Sequence, residues 1–304
     1  MGRSDIPSVI LRCLHKIEAD ATYTGGLPRV ESSSGKQYFA KVGSSSERDQ
    51  FIGEAESLNA MNKAAPGLAP RVFAYGFADS NGDEVAPSES GAKPCFLSEY
   101  KDITSLSEKS GQALAKRLAT EMHRSASENG KFGFGVPTFC GLLDGLKRKG
   151  RFSELCDKGE EVRKRVIPHL LRPLKIEPVI LHGDLWSGNA GTDRATGEPV
   201  VFDPSSYYGH NEAECGLVLD LLVLYAEADS NPHSLAIARI FGGFSGCFYK
   251  TYHEHLPKTE PADQYELRAD LYEMYHYLNH TLLFGGSYAG SATRKMDRLL
   301  RECP

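Results

Sequence analysis

The spacing of apolar positions changes about a third of the way along this chain. Before that point, short apolar runs alternate with turn residues. Ile6 to Ala19 reads as a helix, Leu27 to Glu31 and Gln37 to Val42 as strands of a hairpin closed by Ser32-Ser33-Ser34-Gly35, and Ala69 to Phe77 and Cys95 to Tyr100 as further strands. One helix, Glu47 to Lys63, interrupts them, with Phe51, Ala55 and Leu58 at helical spacing. The polar stretch Asp79 to Lys93 reads as a loop. Beyond Asp102 the helical period takes over in Ser105–Ser127, Lys158–Leu171, Ala236–Tyr252 and Gln264–Phe284. Only two short apolar strands, Pro178–Leu181 and Pro199–Phe202, break it. The pattern predicts an α+β chain of two lobes, a small β-rich one over residues 1–102 and a larger, mainly helical one over 103–304.

Composition narrows the possibilities. A net charge of −5 gives no electrostatic reason to expect nucleic acid or an acidic membrane as partner. The most apolar stretch, Gly216 to Ala228, is too short to span a bilayer and carries Asp220 and Glu227. The start has no compact apolar core of a secretory signal, and Ile6 stands where a myristoylation site wants Ser or Thr. The seven cysteines are scattered and never spaced as CxxC, which favours a reducing compartment without structural zinc, and the cytoplasm as the address.

Chemistry concentrates in Leu181-His182-Gly183-Asp184-Leu185-Trp186-Ser187-Gly188-Asn189, directly after a predicted strand. Asp184 and Asn189, with four residues between them, match the catalytic loop H-x-D-x-x-x-x-N of kinases. There a carboxylate accepts the attacking hydroxyl's proton and an amide oxygen helps hold Mg²⁺ on a triphosphate. Fourteen residues on, Val200-Val201-Phe202-Asp203 ends a strand in an acid. Alone, such a residue is more often a turn former or helix cap; after a catalytic loop it reads as the second metal ligand. Lys41 in Tyr38-Phe39-Ala40-Lys41 resembles the strand lysine that binds phosphates. Glu54, on the edge of the apolar face of the Glu47–Lys63 helix, needs a counter-charge that Lys41 can supply. Gly25 and Gly26 form either a phosphate-covering loop or a plain hairpin turn. Glu99 and Tyr100, at the junction of the lobes, are placed to offer backbone to adenine.

Two other constellations are less complete. His276 and His280 stand at i, i+4 on a helix but lack a third metal ligand nearby, so satisfied or pocket-lining histidines are favoured. Ser205 and Ser206 lie near His210 without the G-x-S-x-G elbow of a nucleophilic serine.

The string His182 to Asn189, followed by Phe202-Asp203-Pro204-Ser205-Ser206-Tyr207-Tyr208-Gly209-His210, Ile240-Phe241-Gly242-Gly243-Phe244 and Tyr277-Leu278-Asn279-His280, resembles the fructosamine/ketosamine-3-kinase family, fungal members in particular. The resemblance implies the two-lobed, protein-kinase-like fold of aminoglycoside phosphotransferases, with ATP and Mg²⁺. It implies phosphorylation of the sugar 3-hydroxyl of ribulosamines or fructosamines on glycated proteins or small ketosamines, which then decompose and free the amine. It also implies Asp184 as base, Asn189 and Asp203 on the metal, Lys41 and Glu54 at the phosphates, and Trp186 and His280 lining the ketosamine pocket. A catalytically silent binding protein of the same fold, and a kinase of another small amine-bearing alcohol, are the alternatives.

The chain departs from the family in three places. Thr22 to Leu27 lacks the cysteine through which some relatives dimerise under oxidation. Val136 to Gly141 runs almost directly into Leu142 to Leu146, where the family has an aromatic-rich segment. Cys215 to Ser234 intervenes where Gly209 to Glu214 would continue into Leu235 to Arg239. A segment lost and an intron translated in the gene model would account for the last two.

Overall fold

Alternation along one strand decides how the N-terminal sheet is used. In Gln37–Val42 the side chains of Tyr38 and Ala40 are buried on one face, while Phe39 and Lys41 look out of the other, half-buried. The computed structural model describes residues 6–135, 142–148, 150, 152–215 and 243–304. In it, β1 (Tyr23–Gly26), β2 (Arg29–Ser32), β3 (Gln37–Val42), β4 (Val72–Ala78) and β5 (Lys93–Glu99) form an antiparallel sheet in the order β1-β2-β3-β5-β4. Helix α1 (Ser8–Ile17) lays Val9, Ile10 and Leu14 on the Tyr38/Ala40 face. Helix α2 (Arg48–Ala64) lies on the other side, with Phe51, Ala55, Leu58 and Met61 packed against Phe96 of β5.

Two N-terminal expectations change. Thr22–Gly26 contributes a strand rather than a turn. The Tyr23 hydroxyl donates to the carbonyls of Leu14 and Glu18 and ties the strand to α1. Gly25 sits at φ 92°, and a Cβ there would lie 2.8 Å from the Arg29 carbonyl oxygen, so glycine is required by the hairpin itself. The strand expected from Ala69 starts only at Val72, because Pro70 has no N–H to give a ladder.

After β6 (Ile103–Thr104) the chain is mainly helical: α3 (Glu108–Thr120), α4 (Leu142–Arg148), α5 (Ser153–Leu171), α6 (Gly246–His255), α7 (Tyr265–Phe284) and α8 (Ala289–Glu302). Between α5 and α6 lie four short strands, β7 (Val179–Leu181), β8 (Ala190–Asp193), β9 (Pro199–Val201) and β10 (Tyr207–Gly209), paired as β10-β7 and β6-β8-β9. The helix expected over Ser105–Ser127 is shorter. Ser107 caps it by accepting the Ser110 N–H at 3.1 Å, and it gives way to a 3₁₀ turn at Met122–Arg124. Helix α8 was not expected, although Ala292, Met296 and Leu299 recur at helical spacing and are buried. Of the predicted helix Ala236–Tyr252, only the part from Gly246 falls where a helix is described. Val136–Gly141 and the insertion beyond Cys215 lie outside the described residues. No helix among the described residues is long and apolar enough to cross a membrane.

A buried ion pair locks the base of the helical lobe. Arg268 of α7 has no solvent exposure and grips Glu212 with Nε and Nη2 at 2.7 and 3.1 Å. Two of its remaining N–H groups donate to the carbonyls of Thr259 and Pro261. Beside it, burial pushes His210 down to about 4. Its ring nitrogens face the hydroxyls of Tyr272 and Thr259, not Ser205 or Ser206, so it is no base for a serine nucleophile. Removing the guanidinium strands a buried carboxylate. Arg268→Ala is expected to lower unfolding free energy by about 3–5 kcal/mol in urea titrations; a near-neutral result would show that Glu212 is relieved some other way.

Candidate active site

Strand pairing brings the distant motifs together. The loop His182–Asn189 leaves β7 and enters β8, and the β8–β9 hairpin, in register Ala190↔Val201, returns the chain to Phe202 and Asp203 beside Asn189. The Phe202 N–H donates to the Asn189 carbonyl at 3.0 Å. His182 clamps the same two segments: its Nε2–H donates to the Phe202 carbonyl at 3.1 Å, and its Nδ1 accepts the Asp184 N–H at 3.2 Å. Complete burial lowers its basicity, so the ring is neutral and its tautomer is fixed by these two bonds.

Asp184 stands at the mouth of this arrangement. Asn189 Nδ2 donates to its carboxylate at 2.9 Å and to its carbonyl at 2.8 Å. Among the described hydrogen bonds Asn189 Oδ1 accepts none, and Asp203, at φ 55°, is exposed. Burial, reinforced by the negative charge of Asp203, pushes Asp184 up to about 7 against the pull of the Asn189 hydrogen bond. Because the folded value lies above the ordinary carboxylate range, ionising Asp184 costs stability as pH rises through that interval. A divalent cation between the two acids would remove the conflict. Two protein oxygen donors, with the rest of the shell from phosphate and water, suit Mg²⁺. Among the described residues no group of three His, Cys, Asp or Glu forms a self-contained metal site, so the His276/His280 pair gains no third ligand.

On the opposite wall Lys41 is paired with Glu54 and rides over the rings of Phe51 and Phe96, 4.7 and 5.4 Å from their centroids. Burial raises the Glu54 carboxyl in spite of the Lys41 charge, and Asp203 adds to the rise, so Glu54 and Asp203 feel each other across the cleft. Lys41, Glu54 and Asp203 line one cavity of about 440 Å³ with Phe96, Glu99 and Tyr100. Its mouth at the lobe junction is braced by Lys101, which pairs with Glu99 at 2.8 Å and Asp193 at 3.3 Å. Gly25 and Gly26 lead into the turn whose Pro28 lines this cavity.

The two substrate-side residues stand differently. Trp186 is half-buried within the loop and packs over Gly188, where a Cβ would come within 2.3 Å of the indole. His280 donates from Nδ1 to the His276 carbonyl and sets its ring at a tilt 5.5 Å from that of Phe284 and 5.0 Å from that of Tyr288, contacts on its own helix and the turn after it. Gly243, at φ 95°, presses on Ser187, leaving no room for a Cβ.

Sequence reasoning missed Glu214. Fully buried beneath the loop, its carboxylate accepts the backbone N–H of His182 and, at 3.1 Å, that of Gly183, while His123 Nε2–H donates to it at 3.2 Å. Tyr252 completes the chain by donating to His123 Nδ1 at 2.7 Å. The string Gly209 to Glu214 was noticed, yet only the pairing of β10 with β7 puts its last acid under Asp184.

Comparison with known proteins bears on this geometry. The protein-family model described as Fructosamine kinase matches residues 24–148, 142–227 and 216–302. Its three pieces meet around the two stretches that depart from the family pattern. The chain is 33% identical to ketosamine-3-kinase of Mus musculus over 86% of its own length and 87% of that protein's. It is 31% identical to the chloroplastic protein-ribulosamine 3-kinase of Oryza sativa subsp. japonica, over 87% and 72%. In structure it is similar to a Haemophilus somnus protein provisionally named a fructosamine-3-kinase, with TM-score 0.68, 20% identity and 96% of each chain covered. It is also similar to the choline kinase LicA of Streptococcus pneumoniae, with TM-score 0.53, 14% identity and coverage of 96% and 98%. The two-lobed, protein-kinase-like fold is therefore shared well beyond close relatives.

The anchoring carboxylate makes a direct prediction. Glu214→Gln keeps the shape but replaces one of the two acceptor oxygens by an NH₂ donor, so the amide protons of His182 and Gly183 should exchange with solvent about tenfold faster or more. Exchange at the wild-type rate would show that the loop is held without Glu214.

Proposed function

Because the chain belongs to the fructosamine kinase family, we propose that it transfers the γ-phosphoryl group of ATP to the 3-hydroxyl of a ketosamine, a ribulosamine or fructosamine carried by a protein lysine or a small amine. The observation that carries this reading is the meeting of Lys41, Glu54 and Asp203 around one cavity beside Asp184. Phe96 and the backbone of Glu99 and Tyr100 would receive adenine, and Lys41, steadied by Glu54, would hold phosphate oxygens. Asn189 Oδ1 and Asp203 would hold Mg²⁺, which when bound would neutralise the charge of the triphosphate. Asp184, kept in place by Asn189, Glu214 and His182, orients the sugar hydroxyl and takes its proton. The rate comes mainly from positioning and from charge complementarity at the transferring group.

Residues 1–102 are the nucleotide lobe on this reading and 103–304 the catalytic and substrate lobe, with Gly25 and Gly26 in the hairpin over the phosphates. Trp186 faces the ketosamine, supported by its place two residues after Asp184, and His280 joins it on the strength of the family resemblance. The seven scattered cysteines, never spaced as CxxC, support a reducing compartment, the cytoplasm.

The test is phosphoryl transfer by purified chain to ribulosamine-, fructosamine- and aminoglycoside-bearing acceptors. Transfer to the ribulosamine or fructosamine is expected. Asp184→Asn should bind ATP normally while turnover falls by about 10²–10⁴. Near wild-type turnover in that variant would refute the assignment of the base, and transfer confined to the aminoglycoside would refute the acceptor.

A further inference from the structure

One hydrogen bond crosses between the two halves of the phosphate site and has no place in the roles given so far. Ser57 lies on α2 one turn beyond Glu54, on the same buried face, with 1% exposure. Its hydroxyl oxygen accepts the backbone N–H of Ser206 at 2.9 Å, across 149 residues of chain. Ser206 stands three residues after Asp203 and is itself buried.

The position of that bond gives it meaning. Asp203 is the one non-glycine residue with positive φ among those described, at 55°, a conformation that persists only where its surroundings hold it. On one side the catalytic loop does so, because His182 takes the Phe202 carbonyl and its own carbonyl accepts the Ser205 N–H at 2.9 Å. Pro204 has no N–H to offer. On the other side the Ser57 hydroxyl takes the Ser206 N–H. A helix that carries Glu54, the partner of Lys41, thus also holds the turn that carries Asp203.

We propose that Ser57 is a positioning residue that fixes the Asp203 carboxylate relative to the Lys41–Glu54 pair, so that the nucleotide's metal and its phosphates are gripped in one geometry. The inference rests on the proposed Mg²⁺·ATP site. Loss of the hydroxyl leaves a buried N–H without its acceptor and frees the Asp203 turn on one side. The Ser206 hydroxyl, buried and without a hydrogen-bond partner, plays no part in the bond.

The test measures ATP affinity by calorimetry on the full chain, once with excess Mg²⁺ and once with EDTA, and takes the ratio as the gain due to metal. Ser57→Ala should cut that gain about tenfold while affinity in EDTA stays within about twofold. Ser57→Thr, which restores the hydroxyl, should recover most of it, and Ser206→Ala should leave it unchanged. If Ser57→Ala does not fold, Ser57→Cys, similar in size and a weak acceptor, carries the same expectation. A full metal-dependent gain in Ser57→Ala, an equal loss with and without Mg²⁺, or a Ser57→Thr variant as impaired as alanine would overturn the inference. A wild-type chain that gains nothing from Mg²⁺ would instead overturn the metal site on which it rests.

Discussion

Two carboxylates that repel each other govern this molecule's active cleft. Asp184 and Asp203 follow different strands, yet the β8–β9 hairpin returns one beside the loop of the other, and burial leaves Asp184 little water to screen the repulsion. Such an arrangement is costly unless something positive enters it. Everything around the pair serves either to hold it or to complement it. Glu214 and His182 fasten the loop beneath, Asn189 turns its N–H₂ inward and its oxygen outward, and Lys41 supplies a cation from the opposite lobe.

The scaffold pays for this with buried polar groups, and those beneath the loop are satisfied locally. Glu214 is an acid in the interior, and two backbone N–H groups and a histidine surround its carboxyl oxygens. The Arg268–Glu212 pair, in the same turn of chain as Glu214, pins the segment from Thr259 to Pro261. The helical lobe is thus a platform whose interior charges are spent on fixing short strands, while the N-terminal sheet offers Phe39, Lys41 and Phe96 on the face left free by α1.

How much of this could be seen in the sequence depends on whether a feature is local. The Asp184–Asn189 spacing and the strand ending at Asp203 are contiguous strings, and Glu54 announced itself as an acid on the edge of an apolar helical face; those were legible. Strand β1 was not, because two glycines erase alternation and its order comes from Tyr23 bonding to α1. Strands β8 and β10 are too short to show a period of two, and their stability is tertiary. Helix α8 was legible in principle from Ala292, Met296 and Leu299. Glu214 and Ser57 could not be assigned from the string alone. A serine inside a helix and an acid in a Gly-His-Asn-Glu-Ala-Glu run acquire roles only when β10 pairs with β7 and α2 meets the Asp203 turn.

The most direct measurement is a carbon-13 titration of the Asp184 carboxyl by NMR, in the free chain and with Mg²⁺ and a non-hydrolysable ATP analogue. The account predicts a midpoint near 7 in the free chain, falling well below neutrality once metal and nucleotide are bound. A midpoint already in the ordinary carboxylate range, or one that metal nucleotide leaves unmoved, would contradict it.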